Sequence, residues 1–165
     1  MTLMQLYCIP QCPFRHRYQN PVGSFIPCFS ADSYYESAIN DCVGFIENCL
    51  VCYNYNSVVL LGDFNFECDI RNSGYRILSN HLHDHNLQCC ASLANPAVDY
   101  TYFQDTLGRY SVIDHMFVKS DTFNNVINYS TIESGSNLSD HVPISCVIAM
   151  VESGRRNCLL QLLRL

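Results

Sequence analysis

The chain has little positive charge: Lys119 is its single lysine, and nine basic residues stand against fifteen acidic ones. The net charge of −6 excludes a surface that holds nucleic acid through Lys and Arg alone, because such surfaces carry a basic face. A single lysine also excludes a polybasic membrane-binding or nuclear-import cluster. A phosphate-bearing ligand would therefore need a metal ion to offset the repulsion.

Two further features are missing from the sequence. No apolar run approaches the length of about 20 residues that a membrane-spanning helix needs. The first residues lack the charged and apolar regions of a signal peptide. These absences predict a protein with no membrane partner that is located inside the cell, in the nucleus or cytoplasm.

Cysteine, by contrast, is abundant, with eleven residues. The odd count leaves one thiol unmatched. Five cysteines lie in apolar segments where a free thiol packs as a small buried hydrophobic group: Cys42, Cys49, Cys89, Cys90 and Cys146. Cys49 and Cys52 form a lone pair without a second pair at the spacing of a zinc site. The sequence therefore predicts reduced cysteines rather than a disulfide or zinc framework.

The length of 165 residues and the hydrophobic content of 48% suit one domain with a substantial core. Apolar spacing predicts helices over about 33–53 and 72–86, a buried strand at 58–61, and later strands near 100–103, 111–118, 126–132 and 141–150. Four prolines predict a long loop over 10–31. This order is typical of a layered α/β domain with a mixed sheet over residues 1–150, followed by a Leu-rich tail, 151–165, that could form a helix.

Three segments place polar groups directly against apolar, β-branched runs. They are residues 58–65 (Val-Val-Leu-Leu-Gly-Asp-Phe-Asn), 111–118 (Ser-Val-Ile-Asp-His-Met-Phe-Val) and 137–144 (Asn-Leu-Ser-Asp-His-Val-Pro-Ile). A carboxylate beside a core strand is costly to desolvate unless it is paired or holds a cation, and a His beside an Asp can move protons near neutral pH. We therefore expect the polar residues of these segments to meet at one edge of the sheet: Asp63, Asn65, Asp114, Asp140 and His141.

These segments resemble the second-half motifs of the endonuclease/exonuclease/phosphatase superfamily of metal-dependent phosphoesterases. Residues 100–103 (Tyr-Thr-Tyr-Phe) ahead of 113–115 (Ile-Asp-His) are most similar to the endonuclease domain of LINE-type (non-LTR) retrotransposons. Residues 7–10 (Tyr-Cys-Ile-Pro) resemble the Tyr-x-x-Pro segment of such domains. The resemblance implies a four-layer α/β/β/α sandwich and hydrolysis of DNA that depends on Mg²⁺ or Mn²⁺.

The resemblance also implies a role for each residue. Asp63 would orient or deprotonate the attacking water, and Asn65 would donate to the phosphate. His141 would contact the scissile phosphate while Asp114 holds its imidazole in the required tautomer. Asp140 would be an oxygen ligand of the metal ion. The remaining candidates are phosphate donors: Tyr7, Thr101 and Ser139.

The opening strands of the family carry an Asn and a metal-binding Glu that precede the segment of Tyr7, and no Glu occurs here before Glu36. This predicts a domain that is truncated at its N-terminus, with first-half strands missing, a sheet face or edge uncovered, weak Mg²⁺ binding and impaired activity. The missing half, or a reverse transcriptase region, would belong to a larger polyprotein. Two alternatives stay open: a non-catalytic remnant of a retrotransposon endonuclease, and a phosphatase or RNA deadenylase of the same superfamily.

Other polar residues favour structural interpretations. His115 lies on the opposite face of its strand from Asp114, because successive strand side chains alternate. The alternating histidines of residues 81–85 fall in a helical stretch, where they cannot share one face. Glu67 and Asp69 follow the first motif and favour a solvated loop, although Glu67 could supply a missing metal ligand.

Overall fold

The computed structural model describes residues 2–9, 22–26, 32–52, 57–93, 96–132, 139–152 and 155–164. The helices of this part of the chain are α1 (Asp32–Cys52), α2 (Ser73–Asp84) and α3 (Ser120–Phe123). Its strands are β1 (Thr2–Ile9), β2 (Val22–Ile26), β3 (Ser57–Asp63), β4 (Leu87–Cys89), β5 (Tyr102–Gln104), β6 (Arg109–Ser111), β7 (Asp114–Lys119), β8 (Val126–Thr131), β9 (Ile144–Glu152) and β10 (Arg155–Arg164). Most of the loop predicted over 10–31 lies outside the described residues.

The strands form two main sheets and one short hairpin. One sheet has the order β2-β1-β3-β7-β4, the other has the order β10-β9-β8, and β5 pairs with β6. The predicted layered α/β class is confirmed. The strands that pair within the described residues are all antiparallel, so the predicted mixed sheet is not found there. Strand β7, for example, runs opposite to both of its neighbours, β3 and β4.

Strand β3 is buried on both faces. Val58 and Leu60 belong to a core with residues of α1 and α2, whereas Val59 and Leu61 belong to a core with residues of β8 and β9. Each of the four is at most 1% exposed. The layers are therefore helices, the sheet of β3 and the sheet of β9. The expectation that truncation leaves this strand uncovered is wrong, because the second sheet covers it.

Both long helices begin and end near the predicted positions. Asn72 caps α2, since its Oδ1 accepts hydrogen bonds from the N–H groups of Gly74 at 2.9 Å and Tyr75 at 3.3 Å. A helix start leaves such amides without a backbone partner, so a polar cap at this position stabilises the helix.

Two expectations about secondary structure are wrong. Strand β2 lies inside the predicted loop, where it pairs with β1. The C-terminal residues form β10 rather than a helix, because they pair with β9 from Ile144 to Glu152 and so become an edge of the second sheet. Leu-rich runs are compatible with either element, and the neighbouring strand decides between them here.

The described cysteines and helices test two expectations, that cysteines in apolar segments are buried and that no helix spans a membrane. Cys42, Cys90 and Cys146 are buried, as predicted, whereas Cys89 is half-buried. The side chains of Cys49 and Cys52 lie outside the described residues. No helix in the described ranges is long and apolar enough to cross a membrane.

Candidate active site

Two carboxylates lie side by side where β3 ends and β7 begins. Asp63 and Asp114 are direct partners in the antiparallel register of these strands. Residues directly opposite in such a pair share one face of the sheet, here the face of Leu61 and Met116, which packs on the second sheet. Asp63 is 4% exposed and Asp114 is 2% exposed. The pair is thus a buried acidic centre at the edge between the two sheets.

The turn after β3 fixes the orientation of Asp63. The backbone N–H of Asn65 donates to Asp63 Oδ1 at 2.9 Å, and Asn65 adopts a left-handed conformation with φ of 54°. Asn tolerates this conformation better than most residues because its side chain is short and polar. The N–H of Phe64 donates to the Ile113 carbonyl at 2.8 Å, which ties the turn to the residue before β7.

His141 lies against both carboxylates through its two ring nitrogens. Nδ1 is 2.8 Å from Asp114 Oδ2, and Nε2 is 3.9 Å from Asp63 Oδ2. Because a carboxylate only accepts, Nδ1 carries the proton in the bond to Asp114. This hydrogen bond raises the pKa of His141 above its ordinary value, against the effect of burial, and the charges of Asp114, Asp63 and Asp140 add to the increase.

The backbone around His141 is held by β5 and the residue that precedes it. The N–H of Phe103 donates to the Asp140 carbonyl at 2.9 Å, and the N–H of Val142 donates to the Thr101 carbonyl at 2.8 Å. The ring of Tyr102 packs on the imidazole, with ring centroids 5.0 Å apart. The sequence motif contains Tyr102, but nothing in the sequence assigns it to the site, because this contact depends on how β5 crosses the loop of His141.

Thr101 supports Asp114 from inside the molecule. Its side chain is 0% exposed, and Oγ1 accepts hydrogen bonds from the N–H groups of Ile113 and Asp114, both at 3.0 Å. The structure therefore gives Thr101 a positioning role at the start of β7. The contact with phosphate that the resemblance implies for this hydroxyl stays a prediction.

The other predicted residues lie at different distances from this centre. Ser139 is exposed, and its Oγ accepts a hydrogen bond from the N–H of His141 at 3.1 Å. Asp140 is exposed and adjoins His141 in the chain. Tyr7 lies opposite Val59, four residues from Asp63 along β3, so the antiparallel register keeps its backbone about 13 Å from the acidic centre. The side chain of Tyr7 lies outside the described residues, so its role at the site stays a prediction.

The predicted convergence is confirmed for one residue of each of the three segments. Ligand atoms of Asp63, Asp114 and His141 all lie within 4.8 Å of one another, which is a group that can hold a metal ion. Two carboxylates and solvent suit a hard cation such as Mg²⁺. The carboxylate of Asp140, the metal ligand implied by the resemblance, is not a member of this group.

The polar residues for which the sequence favours structural interpretations either contact groups outside the acidic centre or are exposed. His115 is buried on the opposite face of β7, as alternation predicts, and its Nε2 is bonded to the Phe66 carbonyl at 2.7 Å. His81 pairs with Glu47 at 3.1 Å. Asp69 forms an ion pair with Arg71, which lowers the pKa of Asp69 to about 2. Glu67 is exposed, as expected for a solvated loop.

A family model described as endonuclease-reverse transcriptase matches residues 3–145 of the 165. The chain belongs to this family. The match spans all the segments that form the acidic centre, and it confirms the resemblance to the endonuclease domain of LINE-type retrotransposons. No curated protein and no solved structure matches the chain. As a member of this family, the chain carries an endonuclease- or phosphodiesterase-type domain, with acidic and imidazole groups where a metal ion can bind.

Proposed function

We propose that the chain hydrolyses phosphodiester bonds of DNA with the assistance of Mg²⁺, and that Asp63, Asp114 and His141 form its catalytic centre. One observation carries this proposal: a single imidazole is anchored to one buried carboxylate at 2.8 Å and faces a second across 3.9 Å. The separation of 3.9 Å is too long for a hydrogen bond. One oxygen atom of water or phosphate, placed beside both groups, would be within hydrogen-bonding distance of each.

His141 would interact with the phosphate through Nε2. Asp114 holds the proton on Nδ1 and so orients the ring. The raised pKa of His141 favours the doubly protonated form, in which Nε2 donates to a phosphoryl oxygen. Donors aimed at developing charge in a partly buried site lower the barrier to phosphoryl transfer.

Asp63 would accept the proton of the attacking water. The Asn65 amide is bonded to Oδ1, and Oδ2 is the oxygen that lies toward His141. Asn65 would donate its side-chain amide to the phosphate from the same turn. Ser139, exposed beside His141, would donate its hydroxyl proton while its oxygen accepts the N–H of His141.

The metal ion would bind at this edge with the exposed Asp140 as its carboxylate ligand, as the resemblance implies. When bound, Mg²⁺ or Mn²⁺ supplies positive charge that stabilises the phosphoryl oxygens. Asp114 is committed to His141, so few carboxylates remain for the ion, and we expect weak binding. The phosphate contacts that the resemblance implies for Tyr7 and Thr101 stay predictions, since Tyr7 is remote in register and Thr101 is buried.

DNA is the proposed substrate because the family is of endonuclease type. The net charge of −6 makes a bound cation important for contact with a polyanion. Beside the site, the hairpin of β5 and β6 presents an aromatic cluster of Tyr100, Phe103 and Tyr110, in which ring centroids are 4.8 Å and 4.7 Å apart. Such rings can stack on unpaired bases.

The test is nicking of supercoiled plasmid DNA by the purified chain, with Mg²⁺ and with chelator. We expect Mg²⁺-dependent nicking that falls about a hundredfold or more in His141→Ala and in Asp63→Asn. His83→Ala is the matched control, because this ring is 91% exposed and pairs only with the neighbouring carboxylate of Asp84 in the described residues.

Two outcomes would contradict the proposal. A folded chain that does not nick DNA at any Mg²⁺ or Mn²⁺ concentration would be a non-catalytic remnant. Cleavage of inositol polyphosphates or of poly(A) RNA in preference to plasmid would assign the chain to the phosphatase or deadenylase branches of the superfamily.

A further inference from the structure

A second cluster of possible metal ligands lies on the other face of β7. It consists of Cys68, Cys89 and His115, whose ligand atoms all lie within 4.8 Å of one another. Cys68 comes from the loop between β3 and α2, Cys89 ends β4, and His115 is the second residue of β7. Cys89 is the strand partner of Phe117, so it is a diagonal neighbour of His115 on the same face of the sheet.

His115 is prepared to act as a ligand. Its Nε2 donates to the Phe66 carbonyl at 2.7 Å, because a carbonyl can only accept. Nδ1 therefore carries a lone pair. Within the described residues this nitrogen has no hydrogen-bond partner, and the side chain is 1% exposed. A buried acceptor without a partner is destabilising. Histidines that bind metals commonly donate their other N–H to a backbone carbonyl in this way.

The two sulfur atoms have the separation that a tetrahedral ion requires. Cys68 Sγ and Cys89 Sγ are 3.8 Å apart. Two thiolates bound to one tetrahedral Zn²⁺, each at about 2.3 Å, lie about 3.8 Å apart. The observed separation is far longer than the about 2.05 Å of a disulfide.

We propose that Cys68, Cys89 and His115 bind a zinc ion, with a solvent molecule as the fourth ligand. Thiolate and imidazole ligands select Zn²⁺, whereas the carboxylates on the opposite face of β7 suit Mg²⁺. Cys68 is half-buried, so solvent can reach the open position. The bound ion would fasten the loop that follows Asp63 and Asn65 to β4 and β7.

The test uses the whole chain, reduced without oxygen and loaded with Co²⁺ as a spectroscopic substitute for Zn²⁺. We expect a sulfur-to-cobalt charge-transfer band, displacement of Co²⁺ by Zn²⁺, and one tightly held zinc per chain by elemental analysis. Cys68→Ser and Cys89→Ser should each lower zinc affinity at least about tenfold. Cys146→Ser is the control, a free cysteine of the other core that should leave the band unchanged.

The control is necessary because the chain has eleven cysteines, and others could bind cobalt. A band that persists undiminished in folded Cys68→Ser and Cys89→Ser would overturn the proposal, as would its absence from the reduced wild-type chain. Circular dichroism separates loss of the site from loss of the fold. Elemental analysis of the wild-type chain needs no variant, and a zinc content near zero would also contradict the site.

Discussion

Asp114 is fixed at both its backbone and its side chain. Its N–H donates to Thr101 Oγ1 at 3.0 Å, and its carboxylate accepts from His141 at 2.8 Å. The first contact fixes where β7 begins, and the second fixes the imidazole. The orientation of His141 therefore depends on Thr101, a residue that is itself buried.

The pKa of His141 should depend on Asp114. The pKa of this imidazole is raised above its ordinary value of 6.5, first by the hydrogen bond to Asp114. The folded state therefore binds the proton more tightly than the unfolded state, and this stabilisation is complete below about pH 6.5 and is lost as the pH rises through the raised value. Asp114→Asn should lower the pKa of His141, as measured by NMR titration of the ring.

The same substitution should change stability in a pH-dependent way. The loss of unfolding free energy in Asp114→Asn should be larger near pH 6 than above the raised pKa of His141, because the protonated ring gains more from the carboxylate than the neutral ring does. Asp84→Asn, next to the exposed His83, is the control and should show little pH dependence. A loss that grows with increasing pH would contradict the assignment.

Thr101→Val should destabilise the chain and impair the site together. The substitution removes a buried acceptor from the amides of Ile113 and Asp114, which should lower the unfolding free energy by about 1–3 kcal/mol. Thr101→Ser keeps the oxygen and should recover most of the stability and activity. Equal losses in the two variants, measured by urea unfolding and by nicking, would show that the hydroxyl does not matter.

At the scale of elements, the β5–β6 hairpin lies beside the site and carries the aromatic rings that we propose contact DNA. Tyr102 packs on His141, and the stacked rings of Phe103 and Tyr110 lie along the same hairpin. Tyr110 is 61% exposed, so a base can reach its ring.

Tyr110→Ala should weaken the binding of single-stranded DNA by about 1–3 kcal/mol, the usual contribution of one stacked base. Ile127→Ala is a matched control, because Ile127 is 62% exposed and lies on the second sheet. Fluorescence anisotropy with a labelled oligonucleotide measures both affinities. An equal loss of affinity in the two variants would argue against stacking at the hairpin.

Helix α2 depends on its cap. Asn72→Ala should lower the unfolding free energy by about 1 kcal/mol, because the amides of Gly74 and Tyr75 lose their acceptor. Asn80→Ala, at an exposed position within the helix, should be neutral or slightly stabilising. Chemical denaturation measures both, and a cap variant as stable as the wild type would refute the capping role.

Local sequence signals account well for some elements and poorly for others. The cap at Asn72 and the apolar run of β3 have strong local signals, and both elements form where expected. Strand β2 and strand β10 were not predicted, because each is specified by the strand it pairs with. Pairing of this kind depends on residues distant in sequence, which apolar periodicity does not report.

At the scale of the whole molecule, the candidate site lies where two layers meet. Motif order predicts that Asp63, Asp114 and His141 converge, but not that Asp63 and Asp114 are strand partners. The zinc-type cluster was not predicted either, because Cys68 and Cys89 are 21 residues apart. Zinc motifs in sequences are recognised by short spacings, whereas here β4 and β7 bring distant residues together.

The central claim is that Asp114 and His141 act as one catalytic unit in Mg²⁺-dependent cleavage. The most direct measurement is the plasmid nicking rate of Asp114→Asn, His141→Ala and the double variant, with folding verified for each. If the two residues act together, each single substitution lowers the rate about a hundredfold or more, and the double variant is no slower than His141→Ala. A double variant whose loss is the product of the two single losses, or a wild-type chain without Mg²⁺-dependent nicking, would contradict the account.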